Sequence, residues 1–261
     1  MNRHVTPLNA GDIVDGLVVE AELGRGGTSI VYRVRHKRSG ERFALKQLVM
    51  KCAPDELESR VQSFYAEGKR TSSLTHPNVL SCIKQFEDKG RAFLLFPYVQ
   101  GESLLRHLNR IQFDGTMPLS RVLHLGQQLL ELGTYLSSRN LNHGDIKPAN
   151  LLLSDEDELK LLDFGSGRDK QNVNLIQARD ADQLALLSLF LLLLTGESQL
   201  TRSQTAWPKR VSRDKTRLSL ALAIQACLEN SHDAEDKVNE RALCTLAHQV
   251  KSFAVCCAKP D

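Results

Sequence analysis

The 261-residue chain is poor in the features that would place it outside a cell or in a membrane. Residues Met1 to Asp12 are mixed and polar and contain no apolar core of a secretory signal. The most apolar run, Leu184 to Leu194, is broken once by Ser188 and is too short to span a bilayer, so it reads as a buried core helix. None of the six cysteines, Cys52, Cys82, Cys227, Cys244, Cys256 and Cys257, forms a C-x-x-C pair. That argues against a disulfide framework or a zinc site and for reduced thiols in a cytoplasmic protein. Net charge is only +3, too little to call for nucleic acid or an anionic membrane as partner. No internal repeat or low-complexity tract stands out. What remains is an ordinary composition, 41% hydrophobic and 25% charged, ample for a buried core.

The first half of the chain reads as strands. Leu17 to Leu23, Ile30 to His36 and Arg42 to Val49 are rich in Val, Leu and alternating residues, with a turn at Ser39-Gly40. Pro54-Asp55 opens a helix in which Leu57, Val61, Phe64 and Tyr65 share one face. Two more strands are expected at Val79 to Glu87 and Ala92 to Val99, around Lys89-Gly90. The second half reads as helices. Ser120 is placed as the cap of a helix running to about Ser138, with Leu123, Leu129, Leu130 and Leu136 inward. Short strands at Leu151 to Leu153 and Leu159 to Leu162 flank an acidic turn at Asp155. The Leu-rich helix then ends at Thr195-Gly196, and helices follow near Ser219 to Glu229 and Asn239 to Ala254. A strand-rich piece followed by a helix-rich piece predicts an α+β protein with two segregated lobes.

Chemistry-bearing residues appear in a fixed order. Gly24, Gly26 and Gly27 lie between two strands, where glycines let backbone N–H groups approach phosphates. Alone, such a glycine-rich hairpin is usually only a turn. Lys46 sits inside the apolar strand Phe43-Ala44-Leu45-Lys46, and Glu67 lies on the apolar helix face, where a charge needs a partner. Singly, each would be a solvated surface charge. The run His143-Gly144-Asp145-Ile146-Lys147-Pro148-Ala149-Asn150 precedes one short strand, and Asp163-Phe164-Gly165 follows another, thirteen residues after Asn150. The oxygens of Asn150 and Asp163 suit Mg²⁺, a hard cation. Chance does not assemble this ordered set.

Taken together, these motifs resemble the eukaryotic-like serine/threonine protein kinases over residues 13–254. The resemblance implies a two-lobed protein-kinase fold. The N-lobe, about 13–96, would be a small antiparallel sheet with one main helix; a hinge at 97–100 would lead to a helical C-lobe, about 101–254. The implied activity is Mg-ATP-dependent transfer to a Ser or Thr of a protein substrate, with ATP and Mg²⁺ as cofactors. Gly24, Gly26 and Gly27 would form the phosphate loop, with Val31 and Ala44 the upper wall of the adenine pocket and Leu152 its floor. Phe96 would be the gatekeeper, and Pro97 and Val99 the hinge contacts. Lys46 would hold the α- and β-phosphates and pair with Glu67. Asp145 would be the base, Lys147 the γ-phosphate contact, Asn150 and Asp163 the metal ligands, and Asp182 the anchor of the catalytic loop. Lys147, two residues after Asp145, favours Ser/Thr over Tyr by resemblance.

Four departures stand out. Ser29 replaces the loop's third glycine, and Gly144 replaces an arginine that usually binds a loop phosphate. Asp163 to Asp182 spans only 19 positions, with no Ala-Pro-Glu and Ser166 as its one hydroxyl residue. The helical extension after it is short. Gly144 and the short segment together imply activity without activation-loop phosphorylation. Two alternatives remain open. His-Gly-Asp also resembles the small-molecule kinases of the aminoglycoside phosphotransferase type, and the reduced segment permits a pseudokinase acting as a binding module. The basic stretch from Arg202 to Arg217 reads first as a solvated loop and second as a surface for an acidic partner. Cys256-Cys257 reads as part of a frayed terminus rather than a redox or lipid site. Delivery as a secreted effector without a classical signal remains open beside the cytoplasmic assignment.

Overall fold

The computed structural model describes residues 6–49, 54–111, 117–164, 175–196, 214–229 and 240–257. The chain forms two compact units, Met1–Gln100 with Asp163–Gly165, and Gly101–Leu162 with Ser166–Asp261.

The first unit is built on an antiparallel six-stranded sheet. Its strands are β1 (Ile13–Val14), β2 (Leu17–Arg25), β3 (Ser29–His36), β4 (Arg42–Leu48), β5 (Lys84–Asp88) and β6 (Arg91–Pro97). They lie in the order β1-β2-β3-β4-β6-β5. Lys89 and Gly90 both adopt positive φ, 51° and 72°, as a tight two-residue hairpin between β5 and β6 requires. The period-2 alternation of β3 sends Ile30, Tyr32 and Val34 to one face, where they pack with Leu17, Val19, Leu45 and Phe93. Val31 points the other way.

Against that second face lies α1 (Pro54–Ser72). It buries Phe64, Glu67, Gly68 and Thr71, a spacing of three and four residues that defines one helical stripe. Phe64 joins Cys82, Leu94 and Phe96 in a core cluster, with Val61 and Tyr65 packed at its edge. Burial pushes the Cys82 thiol pKa up.

The expected strand at Val79 to Glu87 is shorter than its composition suggests, and pairing starts at Lys84. The preceding residues spend their polar groups on turns beneath α1. Val79 N–H donates to the His76 carbonyl at 3.1 Å, and Ser81 Oγ donates to that of Leu74 at 2.6 Å.

The second unit is mainly helical. A three-stranded sheet of β7 (Gly101–Ser103), β8 (Leu151–Ser154) and β9 (Leu159–Leu161) is accompanied by α2 (Leu104–Arg110). The Ser103 hydroxyl caps α2 by accepting the Arg106 N–H at 3.2 Å. Seven residues carry too little periodicity to announce α2 in the sequence.

Then come α3 (Leu119–Ser138), α4 (Leu175–Thr195), α5 (Lys215–Glu229) and α6 (Glu240–Cys257). Ser120 is not the cap of α3. The helix is entered directly from Pro118, which supplies no side-chain cap, and Ser120 falls in the first turn. Leu123, Leu129 and Leu136 are buried as expected, and Leu130 is half-buried. On α3, Gln128 holds the β8–β9 hairpin at both ends of its amide. Its Nε2 donates to the Asp157 carbonyl at 2.9 Å, and its Oε1 accepts the Leu159 N–H at 2.8 Å.

The Leu-rich run is a core helix, with Leu186, Leu187, Phe190, Leu193 and Leu194 buried on several sides of α4. No described helix is long and apolar enough to cross a membrane. Arg217 departs from the reading of a basic surface stretch. It is 8% exposed, pairs with Asp214 and donates to the carbonyls of Leu194 and Met117. Arg202 to Arg213, Ser166 and the Cys256 and Cys257 side chains lie outside the described residues.

Packing is close where α3 meets α4. A Cβ placed on Gly126 would lie 2.2 Å from the ring of Phe190. The Gly126→Ala variant is therefore expected to destabilise the chain by about 1–3 kcal/mol through overpacking, read as a lower urea midpoint. Phe190→Leu in the same background should recover part of the loss.

Candidate active site

In the first unit, register aligns the site residues across three strands. Gly24 pairs with Val31, Val31 with Lys46 and Lys46 with Leu94, while Ala44 pairs with Phe96. Directly paired residues of an antiparallel sheet share a face. Gly24, Val31, Ala44, Lys46 and Phe96 thus belong to one surface, the one against which α1 packs.

Lys46 is anchored there by two carboxylates. Its Nζ lies 2.7 Å from Glu67 Oε1 and 2.6 Å from Asp163 Oδ1. The Lys46 and Glu67 side chains are 10% and 9% exposed, while that of Asp163 is 51% exposed. Burial disfavours the Lys46 cation, but the attraction of Asp163 and Glu67 outweighs it and raises the pKa. For Glu67, burial pushes the pKa up, opposed by Lys46. The charge on the apolar helix face thus has its partner.

Gly68 allows the close approach behind this pair. A Cβ there would come within 2.5 Å of Leu94 Cδ2. Sequence reasoning passed over Gly68, whose signal was a glycine inside an otherwise regular helix. It also passed over Arg70, one turn beyond Glu67, whose Nη1 donates to the Phe164 carbonyl at 2.9 Å.

The glycine hairpin lies on the exposed end of this surface. Gly26 N–H donates to the Ser29 carbonyl at 2.8 Å. A Cβ at Gly24 or Gly27 would meet nothing within 4 Å, and neither residue has positive φ. Neither packing nor backbone conformation requires glycine at these positions. Their use is consistent with close approach by a ligand. Pro97 is exposed at the end of β6, and Val99 is half-buried.

In the second unit, the stretch from His143 to Asn150 folds onto itself. Asp145 is held by Lys147 Nζ at 2.7 Å and by Asn150 Nδ2 at 2.9 Å, both to Oδ2. Asn150 Nδ2 also donates to the Asp145 carbonyl at 2.8 Å, which leaves its own side-chain oxygen outside this network. The Lys147 hydrogen bond, reinforced by Asn150, outweighs partial burial and lowers the Asp145 pKa below the usual carboxylate range.

His143 is fully buried. Its Nδ1 accepts the Asp145 N–H at 3.3 Å, so Nε2 carries the proton and donates to the Leu162 carbonyl at 2.7 Å. Leu162 N–H in turn donates to the Asn150 carbonyl at 2.9 Å. Beneath the loop, Asp182 accepts the N–H groups of His143 at 2.5 Å and Gly144 at 2.9 Å. Burial raises the Asp182 pKa against those two donors. Gly144 has φ 75°, a conformation glycine adopts without strain. Leu152 lies half-buried in β8, opposite Ser103 and Lys160.

Asn150 and Asp163, each within its own unit, carry oxygen donors of the kind that suits Mg²⁺. Among the described residues, no group of three or more His, Cys, Asp or Glu could hold a metal by itself. Mg²⁺ characteristically takes one or two protein oxygens and completes its shell with phosphates and water.

A family model described as "Protein kinase domain" matches residues 17–182. Among curated relatives, a serine/threonine-protein kinase of Arabidopsis thaliana, ATG1c, is 32% identical over 165 residues, 62% of this chain and 22% of that protein. An Aurora kinase of Yarrowia lipolytica is 34% identical over 154 residues, 58% of this chain and 40% of its own. The match thus spans well under half the length of these relatives. A crystal structure of the Mycobacterium tuberculosis PknI kinase domain has a TM-score of 0.64 at 25% identity, covering 94% of this chain and all of that one. The fold is that of the protein kinases, α+β, with a sheet-based first unit and a helical second one.

Asp182 offers a direct check on the loop from His143 to Asn150. Asp182→Ala leaves two backbone N–H groups without their acceptor, at about 1–3 kcal/mol for each buried donor. Asp182→Asn keeps one acceptor oxygen and should lose less. Thermal unfolding of the two variants should rank them in that order.

Proposed function

The chain belongs to the protein kinase family, and from that membership we propose that it is a Mg-ATP-dependent protein serine/threonine kinase. The observation that carries the reading is Lys46, held at 2.7 and 2.6 Å by Glu67 and Asp163. A buried cation fixed by two carboxylates is suited to orienting phosphates. The catalytic domain is taken to extend over 13–254, beyond the matched residues.

In this reading, Gly24, Gly26 and Gly27 cradle phosphates with their backbone N–H groups. Val31, Ala44 and Leu152 contact the base, and Pro97 and Val99 offer backbone polar groups to its edge. Lys46, aligned by Glu67, binds the α- and β-phosphates. Asp145 accepts the proton of the incoming Ser or Thr hydroxyl, and Lys147 neutralises charge on the γ-phosphate. Asn150 and Asp163 present oxygens to Mg²⁺. When bound, Mg-ATP supplies the transferable phosphoryl group and the metal's positive charge. The protein's share is alignment and electrostatics rather than covalent chemistry.

Activity without loop phosphorylation belongs to the same proposal. It is supported by Gly144, which brings no cation to read a phosphate, and by an Asp163 already held by Lys46. The cytoplasm, with its ATP and protein hydroxyls, is the proposed compartment.

Labelled ATP, purified chain and cell extract test the reading. Label should appear on serine or threonine of protein, and Asp145→Asn should lower transfer by about 100-fold or more. Asp163→Ala and Lys46→Met should abolish or cripple transfer. Label found only on small metabolites would refute a protein substrate. Full activity in the Asp145 or Asp163 variant would refute the site.

The electrostatics of Asp145 give a pH signature. Its lowered pKa keeps it unprotonated, and competent as a base, to below the usual carboxylate range. Removing the hydrogen bond in Lys147→Met should raise that pKa. The acid limb of the kcat profile should then move toward neutral pH, alongside a lower maximum; an unmoved limb would deny the pairing a role in tuning the base.

A further inference from the structure

α1 grips the dipeptide Asp163–Phe164 at two points, and only one of them belongs to the ion pairs already described. Glu67 acts through Lys46 on the Asp163 carboxylate. Arg70 acts directly on the next peptide, with Nη1 2.9 Å from the Phe164 carbonyl oxygen. Glu67 and Arg70 are three residues apart, so they project from the same side of the helix. The Phe164 ring is fully buried.

Between these fixed points, Asp163 holds φ at 57°, in the left-handed region that costs a residue with a side chain more than the usual backbone wells, though aspartate less than most. A contact that holds the peptide after it favours that conformation over relaxation. The guanidinium fixes the peptide that follows.

We propose that Arg70 is a positioning residue for the metal-binding carboxylate. By holding the Phe164 carbonyl, it keeps Asp163 in the strained conformation that presents its free oxygen to Mg²⁺. This rests on the reading of Asp163 as a metal ligand. The clamp consists of groups permanently present in the chain, so Asp163 is set without covalent modification. It also couples the metal ligand to α1: turning the helix releases Lys46 from Glu67 and Phe164 from Arg70 together.

The test is binding of a non-hydrolysable ATP analogue to the full chain, by fluorescence, with and without Mg²⁺. Arg70→Met should raise the Mg²⁺ concentration needed for half-maximal enhancement by about tenfold, as loss of a group supporting a metal ligand does. Metal-free binding should stay within about twofold, since Lys46 remains paired. Arg70→Lys, which keeps a cationic donor and guards against misfolding, should restore part of the Mg²⁺ response. Equal weakening with and without Mg²⁺ would reduce Arg70 to a structural prop and overturn the proposal, as would an unchanged Mg²⁺ response in Arg70→Met. A wild-type chain whose analogue binding responds to Mg²⁺, but which transfers no phosphate, would overturn the enzymatic reading alone. Normal transfer with a Mg²⁺ response insensitive to Arg70→Met would overturn the clamp alone.

Discussion

A lysine ammonium out of reach of water is costly unless opposite charge surrounds it. Lys46 meets that condition with Glu67 on one side and Asp163 on the other, and the geometry of the first unit follows from it. β4 must carry Lys46 on the face toward α1, so the alternation of Ala44, Lys46 and Leu48 is fixed. α1 must present Glu67 inward, which sets its rotation and brings Phe64, Gly68 and Thr71 onto the buried stripe. Asp163 must reach Lys46 from 117 positions away in the sequence, which ties this short stretch to the sheet-based unit. Of the two carboxylates on Lys46, only that of Asp163 is exposed, which leaves it the one a divalent cation could reach.

The second unit solves a different problem, that of holding a polar loop rigid without regular structure. Buried backbone N–H groups must find acceptors. Asp182 supplies them from α4, a helix otherwise almost wholly apolar in its described core, and His143 supplies another through its ring. The same ring closes on Leu162, immediately before Asp163. Asp145 is then left with a half-exposed carboxylate and a lowered pKa, an environment distinct from the raised pKa of buried Asp182. The two aspartates thereby differ in burial and in partners: Asp182 is buried on two backbone N–H groups, and Asp145 is held at the surface by Lys147 and Asn150.

Much of this was legible in the residues because strand alternation, helical periodicity and short motifs are local signals. Lys46 inside an apolar strand and Glu67 on an apolar helix face were both local anomalies, and only the resemblance implied that they pair with each other. The α+β division was equally plain from the change of period along the chain. What escaped was set by partners distant in sequence. The segment Val79 to Ile83 is apolar enough for a strand but bends because Ser81 bonds back to Leu74. Ser120 has the chemistry of a cap, yet Pro118 delivers the chain into the helix without one. Arg217 counted as part of a basic surface stretch, although its guanidinium serves two buried carbonyls. Arg70 carried no signal, because a basic residue near a helix C-terminus is ordinary; only tertiary structure shows the carbonyl it meets.

Gly68 extends the significance of the buried ion pair. The missing side chain is a vacancy of one methyl group, filled by Leu94 from the sheet. The packing of helix on sheet is thus closest at the smallest possible steric element, adjacent in sequence to the carboxylate that must reach across. A methyl added there would meet Leu94 Cδ2 at 2.5 Å, so the Leu94 side chain, or α1 with it, must give way while every charged residue stays in the sequence. A descendant of this chain could in that way loosen the Lys46–Glu67 pair with both charged residues intact, and inspection of the charged residues alone would not reveal the change.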